Sequence, residues 1–179
     1  MSCEPSANLA ETGETLESRL VGLPLPDVQL QYAHEAFATI AVLAQRWSLV
    51  IFFYPGAKET LPTTGESVGP DERRAVSWLR CEAEMASMGY EIIGVSAQSA
   101  IEQARFASRD PLPYTLLSDP ELKLAQLLGL PTTGQAAQRV YEPLTIVVHE
   151  QRIARVFHPI DPAREATTVM RWIRSNPSR

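Results

Sequence analysis

The sequence predicts an α/β fold in which a central mixed β-sheet is flanked by helices on both faces. Apolar, β-rich runs alternate with helical segments through the middle of the chain, which is typical of parallel β/α units. A β-hairpin and a final helix follow, so antiparallel strands are expected to join the parallel ones. The 179 residues are enough for one such domain with a full hydrophobic core.

The first 18 residues are polar, small and acidic, and they show no hydrophobic period. They are therefore predicted to form a flexible N-terminal tail, because they offer little that a core could use. The folded domain is expected to span residues 19–179 and to begin its regular structure near Leu20.

The central strand of the sheet is predicted at residues 49–54. Its sequence, Leu-Val-Ile-Phe-Phe-Tyr, is a continuous β-rich apolar run that ends at Pro55-Gly56. A shorter apolar segment, residues 37–43, precedes it. The loop that follows, residues 56–69, is rich in Gly, Thr, Pro and Glu, and it is a candidate functional segment because it is long for a compact domain.

A long helix is predicted from Pro70 to about Met88, where Gly89 ends it. Proline suits the first turn of a helix, and the carboxylates of Asp71 and Glu72 complement the positive end of the helix dipole. The inner face of this helix is predicted from the apolar residues that recur at helical spacing, which are Ala75, Val76, Leu79, Ala83 and Ala86.

The remaining elements continue the alternation and then change to an antiparallel pattern. They are a strand at 91–96, a helix at 100–109, a strand at 114–117, a helix at 121–128, a hairpin of strands 144–148 and 153–157, and a helix at 164–173.

Composition argues against several classes of function. The formal net charge of −5 disfavours a nucleic-acid partner, since such partners require a basic surface. No apolar run approaches the roughly 18 residues of a membrane span, and the N-terminus resembles no leader, so a cytoplasmic protein without a membrane partner is expected. Cys3 and Cys81 are too few for a disulfide framework and lack metal-ligand spacing. No metal or other cofactor is expected.

Four stretches together resemble the peroxiredoxins, the alkyl hydroperoxide reductase and thiol-specific antioxidant proteins, and most closely the bacterioferritin-comigratory type. They are Gly-Leu-Pro-Leu-Pro-Asp-Val at 22–28, Phe-Phe-Tyr-Pro at 52–55, Gly-Tyr-Glu-Ile-Ile-Gly-Val-Ser at 89–96 and Leu-Leu-Ser-Asp-Pro at 116–120. The resemblance covers most of the chain. It implies a thioredoxin-like fold with peroxiredoxin-type decoration, and a homodimer.

In the peroxiredoxins the peroxidatic cysteine lies in the first turn of the helix after the Tyr-Pro loop, three residues after a threonine. With the helix length typical of the family, the cysteine position falls on Asp71 and the threonine position on Val68. The resolving cysteine position falls on Val76, and the family's arginine before the hairpin falls on Pro143. The resemblance therefore implies a member without the peroxidatic cysteine, and no cysteine lies between residues 4 and 80.

Peroxide reduction needs a thiolate that attacks the O–O bond and becomes a sulfenic acid, with a pKa lowered by a helix N-terminus and a nearby cation. Three functions stay open for a chain without that thiolate. One is a repurposed scaffold that binds or transforms a small molecule by non-thiol chemistry, for example in a biosynthetic pathway. The others are a non-catalytic interaction protein that uses the peroxiredoxin dimer surface, and a weak thiol-dependent reductase or peroxidase acting through Cys81.

The candidate site of the first function is the pocket around Tyr54, Asp71, Arg73, Arg74 and Pro143. Asp71 is either a helix cap or an acid/base group at the former cysteine position. The two arginines are either solvated partners of neighbouring carboxylates or a site for an anionic ligand. The tyrosine either lines the pocket or only packs there. Thioredoxin-like proteins often carry a cis proline at the position of Pro143, and the sequence leaves this isomer open.

Cys81 lies ten residues after position 71, which is about 15 Å along a helix axis and far from the activating helix end. Trp78, Met85 and Met88 share its helix face. The sequence allows a partly buried, inert thiol or a reactive one.

Overall fold

The structure, a computed structural model, describes residues 15–32, 36–56, 70–109 and 112–178. For residues 70–73, 75–76, 108–109 and 137 it describes the backbone alone. Residues 1–14 of the predicted tail and residues 57–69 of the predicted functional loop lie outside the described residues. No helix in the described ranges has the length and apolar character to cross a membrane.

Strands and helices alternate from residue 48 to residue 128 of the described chain, and strands follow one another on either side of this part. The helices are α1 Leu16–Leu20, α2 Ile40–Leu43, α3 Pro70–Ser87, α4 Ala100–Arg109, α5 Lys123–Leu128 and α6 Glu165–Ser175. The strands are β1 Gln29–Tyr32, β2 Ala36–Thr39, β3 Ser48–Phe53, β4 Tyr90–Ser96, β5 Thr115–Ser118, β6 Thr132–Thr133, β7 Val140–Tyr141, β8 Leu144–His149 and β9 Arg152–Phe157.

Seven of the strands form one mixed sheet in the order β2-β1-β5-β4-β3-β8-β9. Strand β4 pairs in parallel with β3 and β5, whereas β8 is antiparallel to β3 and to β9. Strands β6 and β7 form a separate two-stranded sheet. The predicted combination of parallel β/α units with a C-terminal hairpin is confirmed.

The central strand β3 is buried on both faces, as predicted, and its alternation divides the core into two layers. Leu49, Ile51 and Phe53 face one layer, together with side chains of α1, α2 and α5. Val50 and Phe52 face the other, together with side chains of α3, α4 and α6. Helices therefore cover both faces of the sheet, and each large apolar side chain buried there contributes about 2 kcal/mol to folding.

The predicted inner face of α3 is wrong. Leu79 is 43% exposed, and Ala83 and Ala86 are exposed. The side chains of the other two predicted residues, Ala75 and Val76, lie outside the described residues. The buried face instead carries Arg74, Trp78 and Met85. The wrong face was predicted because it contains three alanines, which count as apolar, whereas the buried face contains an arginine, which does not.

Helix α1 overlaps the end of the predicted tail, because regular structure begins at Leu16 rather than near Leu20. The Thr15 hydroxyl oxygen accepts a hydrogen bond from the Ser18 N–H at 3.1 Å, which caps the helix. Leu20 is buried, and Glu17 forms an ion pair with Arg155 of β9 at 2.7 Å. These contacts attach the short helix to the edge of the sheet.

Helix α5 begins at Lys123 rather than at residue 121. The buried Asp119 carboxylate accepts hydrogen bonds from the N–H groups of Lys123 at 2.9 Å and Leu124 at 3.0 Å. It also accepts one from the Tyr141 hydroxyl at 2.6 Å. Burial raises the pKa of Tyr141, and the contact with Asp119 raises it further. A carboxylate before the helix thus satisfies its first N–H groups and sets its start.

Candidate functional site

The predicted site lies where β3 ends and α3 begins. Tyr54 directly follows β3 and is 3% exposed, and its N–H donates to the carbonyl oxygen of Val95 at 3.1 Å. Asp71 is the second residue of α3, as predicted. The side chains of Asp71 and Arg73 lie outside the described residues, so their proposed roles stay predictions.

Arg74 is buried in the protein, with 1% of its side chain exposed. Its Nε and Nη2 donate to the two carboxylate oxygens of Glu165, the first residue of α6. Nη2 also donates to the carbonyl oxygen of Leu144 at 3.3 Å. Arg74 is therefore not the solvated surface residue that was one of the two sequence interpretations.

Glu165 is completely buried and is the acceptor at the centre of this cluster. Besides Arg74, the Thr145 hydroxyl donates to it, and the Trp78 indole N–H donates at 3.4 Å. A buried carboxylate requires this kind of compensation, because an unpaired charge in the interior is very costly.

An aromatic layer lies beneath the arginine. The Arg74 Cζ lies 5.4 Å from the centroid of the Phe52 ring, a cation–π distance. Phe52 stacks on Trp78 with ring centroids 5.4 Å apart and planes inclined by 15°. Its ring centroid is 5.6 Å from those of Tyr54 and Tyr114. The structure thus brings Tyr54 and Arg74 together around one phenylalanine.

Tyr114 shares this electrostatic environment. Burial raises the pKa of its hydroxyl and Tyr54 raises it further, whereas the Arg74 charge acts in the opposite direction. The Tyr114 hydroxyl is therefore protonated at neutral pH.

The Arg74 guanidinium has a nitrogen that no acceptor in the described part of the chain satisfies. The Nη1 of Arg74 is buried and has no hydrogen-bond partner among the described residues. Buried donors almost always have an acceptor, and leaving one unpaired costs about 1–3 kcal/mol. The buried guanidinium therefore retains one donor group that can hold an acceptor oxygen.

Pro143 lies directly before β8 and is half-buried. The peptide bond before it is trans, and within the described residues the cis peptide bond is His158–Pro159. The next residue, Leu144, supplies the carbonyl oxygen to which Arg74 donates. The guanidinium therefore reaches the start of β8, where the resemblance places the family's arginine.

Cys81 is separate from this end of α3. It is half-buried and free, and it packs against the core layer between α3, α6 and the sheet. Burial raises the pKa of its thiol, the Glu84 charge raises it further, and Arg174 acts in the opposite direction. A thiol in this environment is mostly protonated at neutral pH and a poor nucleophile.

Sequence reasoning missed Glu165 and Thr145, which lie far from α3 along the chain. A usable signal was the spacing of Arg74, Trp78 and Met85, at positions i, i+4 and i+11 of one helix face. No comparable signal marks Glu165, because an acidic residue at a helix start is ordinarily a dipole-compensating one. No metal-binding group of three or more His, Cys, Asp or Glu side chains occurs in the described ranges.

The chain matches the AhpC/TSA family over residues 21–156. It is similar to the chloroplastic peroxiredoxin Q of Arabidopsis thaliana, with 34% identity over 82 residues, covering 46% of this chain and 34% of that protein. It is also similar to peroxiredoxin bcp1 of Schizosaccharomyces pombe, with 28% identity over 122 residues, covering 68% of this chain and 58% of that protein. The matches thus span less than two thirds of the length of either relative.

Solved structures show the same fold. The peroxidoxin BcpB of Mycobacterium tuberculosis superposes with a TM-score of 0.74 at 22% identity, covering 89% of this chain and 99% of that one. Peroxiredoxin Q of Xanthomonas campestris gives a TM-score of 0.71 at 19% identity, covering 88% and 99%. With the family match extending over most of its length, this protein belongs to the AhpC/TSA family and has the thioredoxin-like fold of the peroxiredoxins.

Proposed function

We propose that this protein is a peroxiredoxin-family member without a peroxidatic cysteine, in which the site at the start of α3 binds or transforms a small molecule by non-thiol chemistry. The unsatisfied Nη1 of the buried Arg74 is the observation on which the proposal rests. Tyr54, Asp71, Arg73 and Pro143 complete the proposed site.

The absence of a thiol at the helix start supports the first part of the proposal. No cysteine lies between residues 4 and 80, so no register of the alignment puts one in the first turn of α3. Cys81 lies about 15 Å farther along the axis, and its raised pKa opposes thiolate formation. The alternative of thiol chemistry through Cys81 is therefore the weaker one.

The charge balance of the cluster indicates the kind of ligand atom that suits it. Both carboxylate oxygens of Glu165 accept hydrogen bonds from Arg74, so the arginine charge is already neutralised. A ligand with a second full negative charge would therefore be repelled by Glu165. The Nη1 donor, which has no acceptor among the described residues, is better matched by a neutral acceptor, such as a carbonyl oxygen. We therefore favour a neutral carbonyl compound over the anionic ligand that the sequence suggested.

The homodimer belongs to the same proposal, and the alternative of a non-catalytic interaction protein would use that dimer surface. Size-exclusion chromatography with light scattering measures the oligomeric state directly. The expected cytoplasmic location stays a prediction.

The first experiment measures consumption of hydrogen peroxide and of cumene hydroperoxide with dithiothreitol as reductant. No catalytic turnover is expected, because no activated thiolate is available. Turnover that disappears in Cys81→Ser would overturn the proposal in favour of the thiol alternative.

The second experiment follows the indole N–H resonances of Trp47, Trp78 and Trp172 in labelled protein, assigned with single Trp→Phe variants. Acetamide supplies a neutral carbonyl, and acetate is the charged control of the same shape. Acetamide should shift the Trp78 resonance selectively, since this indole shares the acceptor Glu165 with Arg74. The proposal fails if neither compound moves that resonance, and a stronger effect of acetate would restore the anionic ligand.

A further inference from the structure

A concave surface lies at the end of the sheet where the interior strands β4 and β5 begin. It is a groove of about 730 Å³ between α2, the turn after it, β2 and the first residues of β4 and β5. Its size is within the range of small-molecule sites. Tyr54, Arg74 and Pro143 do not line it, so it is distinct from the site at the start of α3.

Four large apolar side chains in the walls of this groove are exposed to solvent. The exposed fraction is 57% for Phe37, 47% for Val42, 43% for Trp47 and 37% for Tyr32, and all four line the groove. Single exposed apolar residues are ordinary, but a group of them in one concavity marks a binding surface.

A carboxylate without a partner lies in the same groove. Glu91, the second residue of β4, is half-buried and has neither a hydrogen bond nor an ion pair among the described residues. Burial raises the pKa of its carboxyl group, and the like charge of Glu82 raises it further. A bound cation would stabilise the ionised carboxylate in this position, because its charge offsets both the desolvation of Glu91 and the repulsion from Glu82.

The groove does not supply that cation itself. Arg46 is the other charged residue of its lining, but it is exposed and forms no ion pair with Glu91. The faces of aromatic rings attract organic cations, those of tryptophan and tyrosine among them, and Trp47 and Tyr32 line the groove. The negative net charge of the chain, −5, also favours the approach of a cation over that of an anion.

We propose that this groove binds a small organic cation, an ammonium group on an apolar or aromatic body, with the ammonium at Glu91 and the body against Trp47 and Phe37. The site needs both parts of the ligand. The apolar body covers the exposed rings, and the ammonium group supplies the missing partner of the carboxylate.

Isothermal titration calorimetry with phenethyltrimethylammonium tests this assignment, and the uncharged carbon analogue of the same shape is the control ligand. Wild-type protein should bind the cation at least about tenfold more tightly than the analogue, the size expected of a partly desolvated charge and cation–π contact. Glu91→Gln should lose about tenfold in affinity for the cation and leave the affinity for the analogue unchanged.

Glu121→Gln is the matched control, since it removes an exposed carboxylate that neither lines the groove nor acts on Glu91. It should change the affinity by less than about twofold, and circular dichroism shows that each variant is folded. Equal affinity for cation and analogue, or an unchanged affinity in Glu91→Gln, would overturn the proposal, as would absence of binding to the wild type. The Trp78 resonance reports the other site, so failure here is distinguishable from failure of the proposed function.

Discussion

Arg74 and Glu165 join α3 to α6 through an ion pair in which both side chains are buried, with 1% and 0% exposed. The same two helices are joined a second time by Arg174 and Glu84, at 2.5 Å, where the exposed fractions are 58% and 45%. Residue types and helices are the same in the two pairs, and they differ in solvent exposure and in the additional contacts of the buried pair with Thr145, Trp78 and Phe52. The chain therefore contains its own control for the effect of burial on an ion pair.

Glu165→Gln should lower the free energy of unfolding by about 3–5 kcal/mol, because it leaves the buried guanidinium without its counter-charge. Glu84→Gln should lower it by less than about 1 kcal/mol, since water and salt screen an exposed pair. Urea denaturation at neutral pH measures both. Similar losses in the two variants would show that the buried cluster is not held by charge.

Asp71→Cys should create a thiol whose peroxide chemistry is slow. Pro143 supplies no charge to stabilise the transition state, and the charge of Arg74 is already balanced by Glu165. Peroxide consumption is measured with dithiothreitol in a Cys81→Ser background, which itself serves as the control. Rates near those of ordinary peroxiredoxins would mean that another residue replaces the family's arginine, and Arg74 would be the first candidate.

Asp71→Asn separates the two interpretations of this residue. As the second residue of α3, Asp71 contributes to stability mainly through its charge near the helix dipole, about 0.3–1 kcal/mol, so the melting temperature should fall only slightly. If the carboxylate acts on a ligand, as a base or a hydrogen-bond acceptor, the acetamide-induced shift of the Trp78 resonance should weaken strongly. An unchanged shift would leave Asp71 as a helix-capping residue only.

The order of strands and helices was predictable because the buried strands are nearly continuous apolar runs. Strand β3 and strand β4 have few polar residues, and each was predicted to within one residue at either end. Strand β1, Gln29–Tyr32, was missed because it is short and half polar. The inner face of α3 was misassigned because it contains an arginine that is paired with Glu165 of α6, whereas sequence periodicity recognises only apolar residues.

The site was predictable only in part, for a related reason. Tyr54 and Arg74 are close in sequence to the helix start, and the resemblance directs attention to both. Glu165 is 91 positions away from Arg74, and only the packing of α6 on α3 brings it into contact. The unpaired Glu91 gave no signal at all, since a single acidic residue in a strand carries no information about its partners.

The pKa of Glu91 is raised from an ordinary value of 4.5 by burial and by the like charge of Glu82. The unfolded chain therefore loses this proton at a lower pH than the folded protein. Ionisation of Glu91 destabilises the fold as the pH rises through and above 4.5, and the penalty is complete above the raised pKa. At neutral pH the ionised carboxylate therefore lowers the free energy of unfolding, as expected of a residue whose role is to bind a ligand.

Glu91→Gln should accordingly raise the free energy of unfolding at pH 7, and this gain should vanish below pH 4.5, where the wild-type carboxyl group is protonated in both states. Urea denaturation of wild type and variant at several pH values measures the difference. Glu121→Gln is the control, because the Glu121 side chain is 72% exposed and its removal should change stability by no more than about 0.5 kcal/mol at any pH. A loss of stability in Glu91→Gln at pH 7 would mean that the carboxylate has a stabilising partner, and the groove would then have no need of a cation.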